Sequence, residues 1–168
     1  NATAIVAGYL AGHDRQQEAA ELLAEAREQF PDHVGLLRAD VALKQQMGEK
    51  DQAGEALRQA AADAPEDLRK QLELCQWQIA NGKADDALKL LNDVEDRLAD
   101  TPQKRLLVGA FKAQAHLALD EPEKALALVE LLRDDPRAAA AAGILGAAAE
   151  WKRDNPAGVS EMLAVAEG

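Results

Sequence analysis

The sequence predicts an all-α protein, a solenoid of about five helix-turn-helix repeats. Three observations predict it. The landmarks of the stretch Gly48 to Pro65 recur at a spacing of 34 residues: Ala53 is matched by Ala19 and Ala87, Pro65 by Pro31, and Gly48 by Gly82. Between these landmarks apolar residues return every three to four positions, the period of a helix. Apolar residues make up 48% of the chain and aromatic residues only 3%. Alanine fills much of the apolar share, which suits closely packed helices better than a β-sandwich.

The chain reads as a single array with repeats at about 1–33, 34–67, 68–105, 106–137 and 138–168. In the first, Ile5, Val6, Tyr9 and Leu10 mark an amphipathic helix that Gly12-His13-Asp14 ends. The second helix starts near Arg15, turns Ala19, Leu22, Leu23, Ala26 and Phe30 inward, and stops at Pro31. In the second repeat Leu36, Leu37, Val41 and Leu43 precede the turn at Met47-Gly48, and Ala53, Ala56, Leu57, Ala60 and Ala61 follow it. Pro65 closes this repeat, because proline inside a helix costs ~3 kcal/mol. The third carries Leu68, Leu72, Leu74, Cys75, Trp77 and Ile79, then Asn81-Gly82, two residues that tolerate the left-handed conformation at a helix end. Ala84, Ala87, Leu88, Leu91, Val94 and Leu98 form its second helix.

Here the period slips, since Ala125 lies 38 residues beyond Ala87. The four extra residues are expected between Ala99 and Lys104, where Thr101-Pro102 reads as an N-cap followed by proline at the first helical position. The fourth repeat packs through Leu106, Leu107, Phe111, Ala115 and Leu119, turns at Asp120-Glu121-Pro122, and continues through Ala125, Leu126, Leu128, Val129 and Leu132 to Pro136. Asp154 and Pro156 restore the spacing of 34 from Asp120 and Pro122. The fifth repeat then runs from about Arg137 to Lys152 and on through Val159, Met162, Leu163 and Val165.

The net charge is −11 and the pI about 4.7. Such a surface repels phosphate backbones and anionic membranes, so nucleic acid is not expected as a partner. The charge serves either to keep a soluble helical protein apart or to steer in a basic partner. No run reaches the roughly 18 apolar residues of a membrane span. One cysteine, Cys75, permits no internal disulfide and leaves the compartment open between cytoplasm and periplasm. The chain starts at Asn1 without an initiator Met, which reads as a processed or excised piece of a longer protein.

No catalytic set, metal site or cofactor site is expected. His13 and His33 read as turn residues and His116 as a helix residue, with no cysteine or carboxylate at ligand spacing. Cys75 falls where a small buried residue is wanted, so an inert thiol is expected there rather than a nucleophile. The carboxylates are scattered over exposed helix faces, and no acid-base pair stands out.

The landmarks resemble the tetratricopeptide repeat family. Its pattern of a small residue, a turn glycine, an alanine, a larger apolar residue, a second small residue and a closing proline is matched by Val41, Gly48, Ala53, Leu57, Ala60 and Pro65. Ala7, Asp14, Ala19, Leu23, Ala26 and Pro31 match it in the first repeat, and Cys75, Gly82, Ala87, Leu91 and Val94, without the proline, in the third. The last two repeats follow it more loosely, with Ala113, Asp120, Ala125, Val129 and Leu132, then Ala147, Asp154, Val159, Leu163 and Ala166. The resemblance covers the whole chain and implies a right-handed superhelix whose concave wall is lined by the first helix of each repeat.

That implication places Arg38, Ala42 and Gln45 on the wall from the second repeat, and Arg69, Leu72, Gln76 and Ile79 from the third. Leu107, Ala110, Gln114 and Leu117 follow from the fourth, then Ala141, Ile144, Ala148 and Trp151 from the fifth. The wall is apolar, with glutamines as hydrogen-bonding groups. It reads as a surface for a peptide or protein partner, or, with the register shifted by one, as ordinary packing. Ala4, Gly8, Arg38 and Ala42 stand where some members of the family carry a carboxylate clamp, so a chaperone-adaptor role is disfavoured. Two functions are expected: a non-catalytic interaction scaffold, or an assembly and spacer segment of bacterial envelope machinery of the polysaccharide-export or pilus type. In the second, the array stacks on further repeats or self-associates through an open end near Val165-Ala166-Glu167-Gly168.

Overall fold

The computed structural model describes residues 2–167. Asn1 and Gly168, the outermost residues of the expected first and fifth repeats, lie outside the described residues. Among the described residues there are ten α-helices and no strand: α1 (Ala2–Ala11), α2 (Gln16–Gln29), α3 (Val34–Gln46), α4 (Lys50–Asp63), α5 (Leu68–Ala80), α6 (Ala84–Leu98), α7 (Pro102–Ala118), α8 (Pro122–Arg133), α9 (Ala139–Lys152) and α10 (Pro156–Glu167). They form two compact units, Asn1–Leu74 and Cys75–Gly168, and the division falls inside α5.

The turns inside the repeats explain the spacing of the landmarks. Asp14, Gly48, Gly82, Asp120 and Asp154 all have positive φ, between 57° and 80°. In each case the amide of the next residue donates to a carbonyl five positions back: Arg15 to Leu10, Glu49 to Lys44, Lys83 to Gln78, Glu121 to His116 and Asn155 to Glu150, all at 2.8–3.0 Å. This six-to-one bond satisfies a carbonyl that the helix end leaves free, and the left-handed residue reverses the chain. The following helix starts two residues beyond the left-handed one in every repeat, at Gln16, Lys50, Ala84, Pro122 and Pro156.

The extra four residues are not a longer loop. They add a first turn, Pro102 to Arg105, to α7, which has 17 residues against 13 in α5. One turn is 3.6 residues, so Leu106 onward keeps the face that the shorter helix would have had. The Thr101 side chain accepts from the Lys104 amide at 3.3 Å and Pro102 follows it, as the sequence predicts. His33 caps α3 in the same way, its Nδ1 accepting from the Leu36 amide at 3.3 Å.

Each unit has its own core. In the first, Ala7, Leu10, Ala19, Leu23, Ala26, Leu36 and Leu43 cluster. In the second, Ala113, Ala125, Val129, Leu132, Leu145, Ala149 and Met162 do so. The spacing alanines Ala19, Ala53, Ala87 and Ala125 are fully buried, and so are the larger Leu91, Val94, Val108 and Val129. Burying each of these larger side chains is worth roughly 1.5–3 kcal/mol over exposure.

Three packing expectations change, and Leu107 of α7, expected to pack, is one of them at 45% exposed. Ile5, Val6 and Tyr9 were expected to form the packed stripe of α1, but all three are exposed, and Ala7, Leu10 and Ala11 are the buried residues. Phe30, expected inside, is also exposed, because as the C-cap of α2 it has left the helical backbone (φ −134°) and with it the buried face. A close approach of α9 and α10 was not expected either. A Cβ on Gly143 of α9 would sit 2.5 Å from the Ala166 amide nitrogen and 2.6 Å from the Met162 carbonyl oxygen of α10, and one on Gly146 2.6 Å from the Met162 sulfur.

Two backbone predictions follow from these positions. Gly82→Ala should lower stability by about 1 kcal/mol, since a Cβ is strained in the left-handed region, while Asp154→Gly should raise it. Gly143→Ala should cost ~1–3 kcal/mol by forcing α9 and α10 apart. Urea unfolding followed by far-ultraviolet circular dichroism measures all three, and an unaffected Gly143→Ala midpoint would contradict the close approach.

Candidate partner-binding surfaces

The first helices of the repeats carry the residues expected to line the wall, and each unit presents its share separately. In the first unit Arg38, Ala42 and Gln45 of α3 are exposed, as is Arg69 at the start of α5. Leu72 is different. It is 5% exposed and sits among Lys70, Gln71 and Leu74, all equally buried, so this part of α5 is enclosed on more than one side. Leu72 is packing and offers no side chain to a partner. The Arg38 guanidinium pairs with the Glu73 carboxylate, its Nε donating at 2.7 Å. That pairing pushes the arginine pKa up. Beside these residues a small groove of about 220 Å³ lies between α1 and α3, lined by Ala4, Gly8, Ala39, Ala42 and Gln46. Gln46 donates to the Ala11 carbonyl of α1 at 3.2 Å.

In the second unit the strip is apolar and open. Gln76 is exposed and Ile79 half-buried near the end of α5. On α7 Leu107 is exposed while Ala110, Gln114 and Leu117 are half-buried. On α9 Ala141 and Ala148 are exposed, with Ile144 at 62% and Trp151 at 77%. A groove of about 380 Å³ runs along this face between α7 and α9, lined by Gln103, Leu106, Leu107, Ala110, Arg137, Ala138 and Ala141. Arg137, one of these, donates from Nε to Asp135 Oδ1 at 2.9 Å. The same contact takes the Asp135 carboxyl down to about 2. Ile144 and Trp151 stand as large, exposed apolar groups on α9.

Each unit also has a cleft lined by residues of first and second helices, and the two differ in character. In the first, a cleft of about 520 Å³ is lined by three cations, Arg27, Lys44 and Lys70, and four carboxylates, Glu28, Asp32, Asp40 and Asp63. The cations are already engaged: buried Asp40 receives both Arg27 and Lys44, and buried Lys70 donates to Asp32 at 2.8 Å. In the second unit a cleft of about 480 Å³ opens beside Gly109 and is lined by Leu106, Leu128, Leu131 and Leu132. Leu131 is 70% exposed there. Sequence periodicity did not single it out, although the polar Glu25, Gln59 and Asp93 at the matching positions of α2, α4 and α6 make a leucine conspicuous.

The chemistry of single residues is plain. Cys75 is fully buried, and loss of water around its thiol pushes the pKa up from 9.0 to about 12. Among the described residues no group of three or more His, Cys, Asp or Glu side chains is placed to hold a metal. His116 Nδ1 lies 2.7 Å from a Glu121 carboxylate oxygen across the turn of the fourth repeat, and His13 Nδ1 lies 2.8 Å from the Tyr9 carbonyl. No described helix is long and apolar enough to cross a membrane.

No protein-family model and no curated protein sequence matches the chain. Solved structures do. Nearly identical TPR-like repeats assigned to a kinesin light chain of Podosopora anserina superpose with a TM-score of 0.65 at 21% identity, covering 99% of this chain and 92% of that one. A point variant of the same repeats gives 0.67 at 20% identity, with the same coverage. The chain therefore has the all-α fold of tetratricopeptide-like repeat arrays. At these identities the likeness establishes the fold, and function has to be argued from the surfaces.

One consequence of the Cys75 environment is directly measurable. The folded protein at pH 8 should not react with a thiol reagent such as Ellman's, and one thiol should become reactive on unfolding in urea. Rapid reaction of the folded chain would contradict the buried placement.

Proposed function

We propose that this chain is a non-catalytic scaffold that binds a peptide or protein segment along the α7 and α9 strip. The observation that carries the reading is Ile144 and Trp151, 62% and 77% exposed on one helix of a chain in which 29% of residues are charged. Large apolar side chains left open on a charged surface mark a recognition surface, and tryptophan is among the commonest anchors of binding energy. The strip carries apolar and amide side chains and no nucleophile or general base, which fits binding without chemistry. In the first unit Arg38, Gln45 and Arg69 offer polar contacts to the same class of partner. The acidic balance of the chain supports a protein rather than a nucleic acid.

A second reading, an assembly or spacer segment of bacterial envelope machinery, is favoured by the exposed apolar side chains of α1 and α10.

Trp151 supplies its own reporter for the first reading. In a Trp77→Phe background, peptides selected from a random library by their affinity for the chain should shift the Trp151 emission to the blue. Ile144→Glu should weaken those peptides at least tenfold, which is about 1.4 kcal/mol, while leaving the helical dichroism intact. Peptides that bind this variant as tightly as the parent would sink the reading.

A further inference from the structure

Three departures of the chain from its own repeats fall on one cleft of the second unit. The position of Gly109 is filled by Leu37 in the second repeat and by Gln71 in the third. Glycine leaves that space open, since a Cβ at Gly109 would meet nothing nearer than Leu132 Cδ2 at 3.6 Å, whereas at Gly143, the match in the fifth repeat, α10 fills it. The position of Leu131 is polar in the three preceding second helices, as Glu25, Gln59 and Asp93. Packing does not require a leucine there, for Leu131 is 70% exposed. The added turn of α7, which the other first helices lack, supplies Pro102 and Arg105 to the wall. The matching cleft of the first unit carries Gln59, Ala60 and Asp63 where this one carries Leu131, Leu132 and Asp135. The same place in the repeat is thus polar in one unit and apolar in the other.

The rim gives the cleft a sign. Glu95, Asp134 and Asp135 line it against a single cation, Arg105. Glu95 is paired with Lys112 and Asp135 with Arg137, while Asp134 is exposed and forms no ion pair among the described residues. We infer that this cleft is a docking site for a basic amphipathic peptide segment. Leucine-sized side chains of the segment cover Leu131 beside Gly109, and a lysine or arginine next to them meets Asp134. The net charge of −11 draws in a cationic segment and opposes an acidic one with the same apolar residues. Of the residues lining the cleft only Leu106 also lines the groove between α7 and α9. The site therefore goes beyond the strip of Ile144 and Trp151 and does not depend on it.

Fluorescence anisotropy with two labelled synthetic peptides tests this. Both carry leucines at the same helical spacing, and their polar positions are all lysine in one and all glutamate in the other. The lysine peptide should bind the chain, and the glutamate peptide should bind at least about tenfold more weakly. Leu131→Gln installs the residue found at the matching position of α4 and leaves the net charge unchanged. It should weaken the lysine peptide about tenfold or more with the helical dichroism intact. Asp134→Lys should weaken the lysine peptide and strengthen the glutamate peptide. Ile144→Gln, on the strip, should leave both unchanged. A lysine peptide that fails to bind up to roughly millimolar concentration, or that binds Leu131→Gln as tightly as the parent, overturns the proposal. Loss of binding in Ile144→Gln with none in Leu131→Gln also overturns it, while leaving the scaffold reading of the strip standing.

Discussion

Within each repeat the first helix gives way to the second through one residue in the left-handed conformation, and the rest of the fold is built on that turn. Five residues take that conformation, and each is followed by the same amide-to-carbonyl bond across the helix end. The bond fixes where one helix stops and the next begins. It therefore fixes which side chains of the two helices face each other. Only then does it matter that Ala19, Ala53, Ala87 and Ala125 are small, because they lie where the helices are brought together. Glycine fills the left-handed position twice and aspartate three times, the two kinds of residue that reach it at least cost.

The seams between repeats add a second constraint. Arg27 of α2 pairs with Asp40 of α3, and Glu95 of α6 pairs with Lys112 of α7 at 2.5 Å. These are matching positions with the charges exchanged. The same positions between α4 and α5 hold Ala61 and Leu74, both buried and apolar. A seam that joined the wrong repeats would set like charges together or strand a charge against leucine, and a stranded buried charge costs several kcal/mol. The ion pairs thus do little for net stability but make the order of repeats specific.

Much of this is visible in the residues themselves. The turns, the proline stops, the Thr101 cap and the spacing alanines all follow from local chemistry that a single segment carries. What depends on a neighbour is harder to read. Gly143 and Gly146 look like helix weaknesses until α10 is known to lie against them. Ile5, Val6 and Tyr9 are apolar at the positions that are packed elsewhere, but an apolar pattern says which face wants burial and not whether another helix covers it. Leu72 shows the opposite case, a residue in the register of the strip that is enclosed by the packing of its own helix. The strip was legible as a set of positions, while its division into a polar part on α3 and an open apolar part on α9 required the exposures.

That division bears on how binding energy would be distributed. Arg38 is already committed to Glu73, so a partner that recruited it would first have to compete with an existing ion pair. The Arg38 side chain is 64% exposed but that of Glu73 only 12%, so drawing the arginine away would leave a largely buried carboxylate unpaired, at a cost in affinity. Ile144 and Trp151 have no such commitment, and each removes apolar surface from water on contact, at ~25 cal/mol per Å². Affinity should therefore reside mainly on α9, with the arginines and glutamines selecting among partners that already fit it. The repeat turns hold α9 in place without contributing a side chain to the strip. On the proposed reading scaffold and site are separate, so the residues most diagnostic of the fold would not be those on which recognition depends.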